Sequence, residues 1–455
     1  MPETDDFHEI LEDAPPAVNR EAILAQWHAV QDWFEIGSHT FPKPIWVQRS
    51  YEHSGTDAWR ELLPHIEAKK PGEPLSIYVH VPFCRRRCGF CDLFSWPLPK
   101  DDSQAENGFV DSLVEEIAAW SSVAPLAACP VTTVHFGGGT PNCLTNDNLA
   151  RIVEACGKRL AVSSETEWAL ESTCRLLTDD HLRELADLGF TRLHAGVQTL
   201  NDEIRKLIGR TETGDTVVER LEGALHQGFV VSVDLIYGLP KQEMSHFAST
   251  LERLTATGIH GASLYQLQVC DKNRAFLERR GAGQPNNALN YAMFQAGDHY
   301  LTGRGYHKNF FTHFARPEDN NLYYRHVLRG EDLLALGPTA DGVFGTYLYR
   351  HPDYREYLAA PPPRLEGGMV QSTLERAVRP AKAELMTGEV RRTTFEALNA
   401  LPLLDLWTGC NLLLPQKDGE RMTVSANGSW FMTQMVDQLQ TRVANQPRAA
   451  VPPGT

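Results

Sequence analysis

The sequence lacks the features of a membrane-spanning, secreted or nucleic-acid-binding protein. No run of about 18 apolar residues occurs, so we expect no membrane span. The 43 lysines and arginines are outnumbered by 58 aspartates and glutamates, and the net charge of −15 disfavours a general nucleic-acid surface. Residues 1–16 are acidic and contain proline, which is the reverse of the basic start of a signal peptide. We therefore predict a cytoplasmic protein without membrane or nucleic-acid partners.

Cysteine is scarce, and two common glycine-rich nucleotide motifs are absent. The one glycine run, Gly137-Gly138-Gly139-Thr140-Pro141, lacks the Gly-Lys-Ser/Thr ending of a phosphate-binding loop and the glycine spacing of a Rossmann fold. There are nine cysteines, an odd number. We interpret six of them as small core residues in a reducing compartment: Cys129, Cys143, Cys156, Cys174, Cys270 and Cys410. Among these, Cys143 and Cys174 lie close to the motifs below and are candidates to line a cavity.

The other three cysteines, Cys84, Cys88 and Cys91, fall in one short loop with the spacing C-x3-C-x2-C. A loop this short can turn three thiolates toward one point, as soft metals and iron–sulfur clusters require. Three ligands leave the fourth iron of a cubane cluster open to a small molecule. A structural zinc site would need a fourth protein ligand, and His80 points away along its strand. The adjacent Arg85-Arg86-Arg87 either offsets the charge of a cluster or forms a solvated basic loop.

The remaining chain predicts an α/β fold. A content of 42% hydrophobic and 22% charged residues over 455 positions is typical of a globular enzyme with two to three domains or one large barrel with additions. Strands and helices alternate from residue 75, the pattern of a parallel sheet wrapped by helices. Six such units predict a partial (β/α)6 barrel. The predicted strands cover residues 75–81, 131–136, 167–171, 192–197, 230–237 and 262–269.

The flanking regions predict additions to this barrel. A helix over residues 21–33 and an extended, aromatic run over 41–51 suggest an arm that lies on another surface. A short hairpin is expected around Lys417-Asp418-Gly419. The predicted organisation is a disordered tail (1–20), an N-terminal helix and arm (21–70), the barrel core (71–275), a barrel-extending segment (276–375), a C-terminal helical or winged-helix-like domain (376–445) and a tail (446–455).

Several polar residues fall at the carboxyl ends of the predicted strands, where parallel sheets bind ligands. Glu171, Gln198 and Asp234 join the cysteine loop and the glycine run there, which predicts a single site. Each acid could bind an amine or a pair of ribose hydroxyls, or serve as a cap or buried ion pair. Arg210 could pair with a carboxylate or lie on a helix surface. Tyr78 either contacts the ligand or belongs to the core.

Residues 78–92 resemble the opening motif of HemN-like radical S-adenosylmethionine (SAM) enzymes. The group contains oxygen-independent coproporphyrinogen III dehydrogenases, heme chaperones, and radical SAM methylases and cyclopropanases. The resemblance covers roughly residues 75–345. Four further segments match in order: Gly137-Gly138-Gly139-Thr140-Pro141, Gly196-Val197-Gln198 with Arg210, Asp234-Leu235-Ile236-Tyr237-Gly238-Leu239-Pro240, and Leu336-Gly337-Pro338 with Ala340.

The resemblance implies a [4Fe–4S] cluster on Cys84, Cys88 and Cys91, with SAM bound at the open iron. One electron, supplied by a reductase with flavodoxin or by ferredoxin, would cleave SAM to methionine and a 5′-deoxyadenosyl radical that abstracts a substrate hydrogen. Members of the group often bind a second SAM. By position, the SAM contacts would be Tyr78, Phe90, Gly138, Gly139, Thr140, Glu171, Gln198, Arg210 and Asp234.

Three departures from the family pattern affect the predicted reaction. The dehydrogenases carry a further cysteine where this chain has Leu93, and the family's Asn-Pro after the SAM-binding acid is replaced by Ser172-Thr173-Cys174. The chaperones' His-Asn pair is Asn320-Asn321 here. We therefore predict an enzyme that acts on an organic small molecule by methylation or related carbon–carbon bond formation. The alternatives are a heme-binding chaperone, a coproporphyrinogen dehydrogenase-like tetrapyrrole enzyme, and a zinc-bound barrel without catalysis. The longer stretch 21–70 is expected to cover the substrate mouth.

Overall fold

The structure is a computed structural model that describes residues 4–12, 14–16, 18–32, 34–43, 49–70, 72–93, 95–98, 103–281 and 285–446. Its helices are α1 Thr4–Glu12, α2 Arg20–Val30, α3 Gly55–Glu67, α4 Ser103–Ser121, α5 Ala124–Ala128, α6 Asn146–Arg159, α7 Asp179–Asp187, α8 Asp202–Leu207, α9 Gly214–His226, α10 Met244–Ala256, α11 Arg274–Glu278, α12 Asn287–Thr302, α13 Leu322–Arg329, α14 Tyr354–Ala359, α15 Thr373–Thr387, α16 Arg392–Ala397, α17 Leu401–Gly409, α18 Ala426–Trp430 and α19 Met432–Ala444. Its strands are β1 His53–Ser54, β2 Leu75–Val81, β3 Phe83–Cys84, β4 Trp96–Pro97, β5 Val131–Gly138, β6 Glu167–Ser172, β7 Arg192–Gln198, β8 Val230–Tyr237, β9 Gly261–Gln266, β10 His307–Phe310, β11 His313–Ala315, β12 Leu333–Leu336, β13 Asp341–Phe344, β14 Tyr347–Arg350, β15 Gly367–Val370, β16 Glu389–Arg391, β17 Leu413–Pro415 and β18 Arg421–Val424.

A thirteen-stranded sheet forms the centre of the fold, in the order β1-β15-β14-β13-β12-β2-β5-β6-β7-β8-β9-β11-β10. The seven neighbouring strands from β12 to β9 are all parallel, and antiparallel strands extend the sheet on both sides. Helices α4, α6, α7, α9 and α10 provide the crossovers between the parallel strands from β2 to β9. The predicted α/β fold is confirmed, and the sheet is open, with β1 and β10 at its edges.

All six predicted strands are present, with ends that agree within three residues. A seventh parallel strand, β12, was missed. It pairs with β2 through Leu333–Ser76 to Leu336–Val79 and lengthens the parallel sheet beyond the predicted units. Its four residues are too few to show a period, and no regular strand–helix alternation leads to it.

Alternation along the strands decides which residues face the ligand. Successive side chains of a strand point to opposite faces. On β7, Ala195 and Val197 are fully buried in the apolar core, whereas His194, Gly196 and Gln198 line a cavity on the other face. The sheet therefore presents its polar positions to one interior space at the carboxyl ends of the strands.

The expected disordered tail over residues 1–20 is wrong for residues 4–12, which form α1. Phe7 is fully buried, stacks on Trp27 at 5.1 Å between ring centroids and meets the edge of Tyr291 at 5.8 Å. Burying an aromatic ring offsets the entropy lost when the segment orders. The predicted helix over 21–33 is α2, although Trp33 lies outside the described residues.

The arm continues after α2 as irregular backbone over residues 34–43. Residues 44–48 of the predicted extended run lie outside the described residues, as does the predicted C-terminal tail beyond residue 446. The arm packs between the ends of β8 and β9 and the C-terminal helices. Phe34 contacts the ring of Phe431, and the hydroxyl of Thr433 donates a 2.7 Å hydrogen bond to the carbonyl of Thr40.

The C-terminal region contains the predicted helices and hairpin. Strands β16, β18 and β17 form a small antiparallel sheet, and Asp418 accepts hydrogen bonds from the backbone of Glu420 and Arg421 at the predicted turn. Trp407 and Leu439 belong to the same apolar core cluster as the barrel strands, so this region packs directly on the rest of the fold. Within the described ranges, no helix has the length and apolar character needed to cross a membrane.

Candidate functional site

A cavity of about 860 Å³ lies at the carboxyl ends of the central strands. Eleven of the twelve residues predicted from the sequence to bind the cluster or SAM line this cavity, so a single site is consistent with the strand-end argument. They are Cys84, Cys88, Phe90, Cys91, Gly138, Gly139, Thr140, Glu171, Gln198, Arg210 and Asp234.

Tyr78 is the exception, because its side chain is not among those that line the cavity. Its ring stacks on Tyr323 at 5.3 Å and on His135 at 6.1 Å, and its hydroxyl lies 3.1 Å from Nδ1 of His80. Burial raises the pKa of Tyr78 well above its ordinary value, so the phenol stays protonated. The alternative role as a core residue fits these contacts.

The glycine run fixes the cysteine loop at its first cysteine, Cys84. The amide of Gly139 donates to the carbonyl of Val81 at 2.8 Å, and the amide of Thr140 donates to the carbonyl of Phe83 at 2.7 Å. The hydroxyl of Thr140 lies 3.2 Å from the Cys84 sulfur. The three thiols are partly exposed to the cavity. The end of β5 therefore positions the first cysteine as well as a ligand-facing turn.

The loop is fixed at its other end by the segment after β9. Asn273 donates its side-chain amide to the carbonyl of Phe90 at 2.8 Å, and Lys272 donates to the carbonyl of Asp92 at 2.9 Å. The Phe90 ring packs on a small apolar cluster and lies under the Arg210 guanidinium, 5.7 Å from the ring centroid. Sequence reasoning missed this anchor, which has no recognisable local motif.

The thiols suit a cluster better than a single metal ion. Among the residues that the structure describes, no three His, Cys, Asp or Glu side chains converge closely enough to hold one ion. A mononuclear zinc site would require donors about 2.3 Å from a common centre, whereas each thiolate of an iron–sulfur cluster binds a different iron. His80 is not among the residues that line the cavity with the thiols, and its two ring nitrogens lie against Tyr78 at 3.1 Å and Thr339 at 3.4 Å.

Two carboxylates at the cavity each lie against a histidine. Glu171 places Oε1 3.2 Å from Nε2 of His135 and accepts the Gly138 amide at Oε2, at 3.3 Å. Asp234 places Oδ1 2.7 Å from Nε2 of His194. Burial alone would lower the pKa of His194, but the Asp234 carboxylate outweighs burial and raises it. His194 was missed, although its position two before Gly196 puts it on the cavity face of β7.

Gln198 and Arg210 each have a buried side-chain atom without a hydrogen-bond partner among the described residues, Oε1 and Nε respectively. Leaving such an atom unpaired costs about 1–3 kcal/mol. Gln198 also has a φ of +67°, a left-handed conformation that costs a non-glycine residue about 1–2 kcal/mol. Unpaired polar atoms and local backbone strain in a cavity wall are typical of residues that bind a polar ligand. A cofactor with amine, carboxylate and hydroxyl groups would be such a ligand.

Thr173 completes this part of the wall. Its hydroxyl accepts a 2.9 Å hydrogen bond from Arg210, and its backbone amide donates to the side chain of Asn142 at 3.2 Å. Thr173 belongs to the Ser172-Thr173-Cys174 segment, which replaces the family's Asn-Pro pair. At this departure from the family pattern, Thr173 therefore supplies a polar contact to the Arg210 guanidinium.

The arm forms another wall through His39, Thr40, Phe41 and Lys43. Burial lowers the pKa of His39 to about 3, so the ring is neutral. Nε2 donates to the carbonyl of Ser429 at 3.0 Å, and Nδ1 accepts from the hydroxyl of Tyr237 at 2.5 Å. His39 therefore fixes the arm to both the barrel and the C-terminal region. This position agrees with the expectation that the stretch 21–70 covers the substrate mouth.

Known proteins share this sequence pattern and fold. Residues 78–254 match the family model described as the radical SAM superfamily. The chain is 30% identical over 306 residues to the oxygen-independent coproporphyrinogen III oxidase of Escherichia coli, across 64% of this chain and 66% of that protein. It is 28% identical over 295 residues to the heme chaperone HemW of Lactococcus lactis, across 64% of this chain and 75% of that protein.

A solved structure extends the likeness to most of the chain. Coproporphyrinogen III oxidase (HemN) from Escherichia coli superposes with a TM-score of 0.75 at 23% identity, covering 91% of this chain and 98% of that one. At this identity the superposition establishes the fold. Residues 78–254 thus form a radical SAM domain, and proteins with this domain use a [4Fe–4S] cluster and SAM. The chain has HemN-type oxidases and HemW chaperones as homologues, and it spans somewhat less than two thirds of the length of the first curated relatives that it matches.

Proposed function

We propose that this protein is a radical SAM enzyme that acts on a tetrapyrrole. The observation that carries the proposal is the division of one cavity into two parts. A polar part at the ends of β5 to β8 contains buried side-chain atoms of Gln198 and Arg210 that have no hydrogen-bond partner among the described residues. An aromatic part is formed by the arm and by segments from β9 onward. The polar part suits SAM, and the aromatic part suits a large, mostly apolar substrate.

In the polar part, Cys84, Cys88 and Cys91 would hold the [4Fe–4S] cluster. When bound, the cluster and SAM supply a 5′-deoxyadenosyl radical that removes a hydrogen atom from the substrate. Glu171 and Asp234 would accept hydrogen bonds from ligand N–H and O–H groups through the oxygens that face the cavity. The remaining proposed SAM contacts are Phe90, Gly138, Gly139, Thr140, Gln198 and Arg210, whose guanidinium suits a carboxylate.

The aromatic part consists of Phe41, Leu267, Phe311 and Tyr324, with Lys43 at its border. Phe41 meets the edge of Phe311 at 5.3 Å and is 43% exposed, so the arm presents an aromatic edge to the cavity mouth. Flat apolar walls with a nearby cation suit a macrocycle that carries acidic substituents. The arm sits where it would exclude water from such a substrate.

The relatives support tetrapyrrole chemistry better than the carbon methylation predicted from the sequence. The relatives described above are named for coproporphyrinogen III oxidation and for heme chaperoning, and both terms refer to tetrapyrroles. We therefore propose coproporphyrinogen III as the first substrate to test. Leu93, in place of the dehydrogenases' further cysteine, is 57% exposed at the cavity, so the reaction here would proceed without a thiol at that position.

Heme binding is the second candidate, and two observations favour it. The chain is similar to a heme chaperone over most of the same region, and it lacks the cysteine that marks the dehydrogenases. A heme titration of the purified protein followed at the Soret band would show stoichiometric uptake for a carrier. An enzyme that oxidises coproporphyrinogen would instead show weak, non-saturating heme binding.

The experiment uses anaerobically reconstituted, chemically reduced full-length protein with SAM and coproporphyrinogen III. We expect 5′-deoxyadenosine and a mass change in the tetrapyrrole, both absent in Cys88→Ala. SAM cleavage with an unchanged tetrapyrrole would reject the proposed substrate and leave the radical SAM chemistry in place. A brown, cluster-loaded protein that never cleaves SAM would reject the enzyme.

The proposed partner is a one-electron donor protein of the flavodoxin or ferredoxin type. Such donors are acidic, and this chain is itself acidic, with a net charge of −15. The cysteine loop is locally basic, because Arg86 and Arg87 are exposed beside Cys88. A local basic patch on an acidic chain would steer an acidic donor toward the cluster.

A further inference from the structure

The conformation of Gln198 requires support from outside the cavity. Its positive φ comes at an irregularity in the pairing of β7 with β8, where Gly196 pairs with Asp234 and Gln198 pairs with Leu235, so that Val197 is an extra residue. Such bulges aim a side chain away from the regular pleat. The side chain of Gln198 then faces the cavity, and its Oε1 has no hydrogen-bond partner in the described part of the chain.

That support comes from Arg205, a residue of α8 whose side chain is 1% exposed and is not part of the cavity wall. Its NH1 donates to the carbonyls of Val197 at 3.0 Å and Thr199 at 2.8 Å. These are the two carbonyls that flank Gln198. One guanidinium nitrogen therefore fixes the backbone on both sides of the strained residue.

The other face of the same guanidinium binds Glu212. Nε of Arg205 donates to the backbone carbonyl of Glu212 at 2.8 Å, and NH2 donates to its carboxylate at 2.7 Å. The side chain of Glu212 is 7% exposed. Burial opposes the charge of Glu212, but backbone hydrogen bonds and the neighbouring arginines outweigh burial and lower its pKa. The ion pair thus persists at neutral pH.

Arg210 lies on the short segment between these two residues. Its backbone amide donates to the carbonyl of Arg205 at 2.8 Å, and Glu212 follows it by two positions. Holding Arg205 to Glu212 therefore fixes the loop that directs the Arg210 guanidinium toward Thr173 and the Phe90 ring. The buried Arg205–Glu212 pair is therefore linked to both Gln198 and Arg210, whose side chains each have an atom at the cavity without a partner among the described residues.

We propose that Arg205, held by Glu212, is a positioning residue that keeps Gln198 in its left-handed conformation and Arg210 directed into the cavity, and so determines how SAM binds. The inference rests on the proposed assignment of Gln198 and Arg210 as SAM contacts. A planar fork is required, because only a guanidinium can reach two carbonyls on one side and a carboxylate on the other.

The test compares cluster-loaded Arg205→Lys and Glu212→Gln with wild type. The lysine keeps the charge but loses the fork, and the glutamine keeps a hydrogen-bond acceptor but loses the charge. The matched control is Arg253→Lys, which makes the same exchange in an exposed ion pair with Asp215. We measure the dissociation constant of SAM by equilibrium dialysis, the SAM-induced change in the EPR spectrum of the reduced cluster, iron content and the thermal midpoint.

We expect Arg205→Lys to weaken SAM binding tenfold or more and to reduce the SAM-induced EPR change, with iron content unchanged because the hydrogen bonds of the pair go to Val197, Thr199 and each other and not to the proposed cluster cysteines. Glu212→Gln should shift both quantities in the same direction, and it serves as the second variant if Arg205→Lys does not fold. Arg253→Lys should match wild type. A lower thermal midpoint with unchanged SAM affinity and EPR spectrum would overturn the inference and leave Arg205 a structural residue only. Wild-type protein that binds no SAM would overturn the proposed function instead.

Discussion

Replacing Gly139 by alanine tests whether the end of β5 positions the cluster. A methyl group at Gly139 would lie 2.4 Å from the carbonyl oxygen of Phe83 and 3.0 Å from its amide nitrogen. Both atoms belong to the backbone, so no side-chain rotation can relieve the contact. Phe83 directly precedes Cys84, and Thr140, which follows Gly139, lies against the Cys84 sulfur.

The size of the disturbance follows from these distances. Ordinary van der Waals contact begins at 3.4 Å, so the two backbone segments must separate by about 1 Å. Overpacking of this kind costs about 1–3 kcal/mol. A misplacement of about 1 Å in an active site can lower the rate about 10²-fold. Because Cys84 and the glycine turn move relative to each other, cluster assembly and SAM cleavage should both suffer.

The assay measures iron and sulfide per chain after anaerobic reconstitution, and then 5′-deoxyadenosine formation with excess SAM. The matched control is Gly157→Ala in α6, where a methyl group would meet no atom within 4 Å. Removing a glycine from a helix interior should stabilise the control by about 0.5–1 kcal/mol without changing iron content. Gly139→Ala protein with wild-type iron and wild-type SAM cleavage would refute the positioning role of this turn.

Three further predictions concern other parts of the molecule. His194→Gln keeps a hydrogen bond to Asp234 but removes the titration. In wild type, the contribution of the charged pair to the free energy of unfolding, measured by chemical denaturation at several pH values, is complete below the ordinary histidine pKa and is lost as pH rises through the raised pKa, whereas the variant should lack this loss between those limits. Phe7→Ala should lower the free energy of unfolding by about 3–5 kcal/mol, measured by chemical denaturation. Arg86→Glu with Arg87→Glu should slow cluster reduction by flavodoxin several-fold at low salt, with no effect on reduction by dithionite.

Two other basic residues of the chain provide the control for the arginine substitutions. Lys158→Glu with Arg159→Glu produces the same net charge as the arginine reversal, but at the exposed end of α6. If this control slows flavodoxin equally, only net charge matters and the basic patch has no role. A parallel pH dependence in wild type and His194→Gln would exclude that histidine, and an unchanged unfolding curve for Phe7→Ala would mean that α1 does not pack on α2.

The sequence was sufficient to predict the positions at strand ends but not their partners. Gln198 and Asp234 could be placed at the site because strands and crossover helices have recognisable hydrophobic patterns in the sequence, which show where each strand ends. His194 shares the face of Gly196 by simple alternation, and that signal was available but unused. Arg205 carried no signal, since its role depends on a bulge that no local pattern reveals. His39 bonds to Ser429, 390 residues away, and such a contact exists only in the folded chain.

The two parts of the cavity correspond to two separate questions, namely whether SAM is cleaved and which substrate reacts. The polar part retains the acids, amide and guanidinium expected for SAM, and even the departure at Thr173 preserves a bond to Arg210. Of the other differences, Leu93 is exposed at the cavity two residues after Cys91, and the arm with Phe41 adds a wall. If the aromatic part binds the substrate as proposed, differences on that side would change which hydrogen is presented to a radical, while the means of producing that radical would stay the same. SAM cleavage and substrate identity must therefore be tested independently, because failure of one substrate says nothing about the cluster.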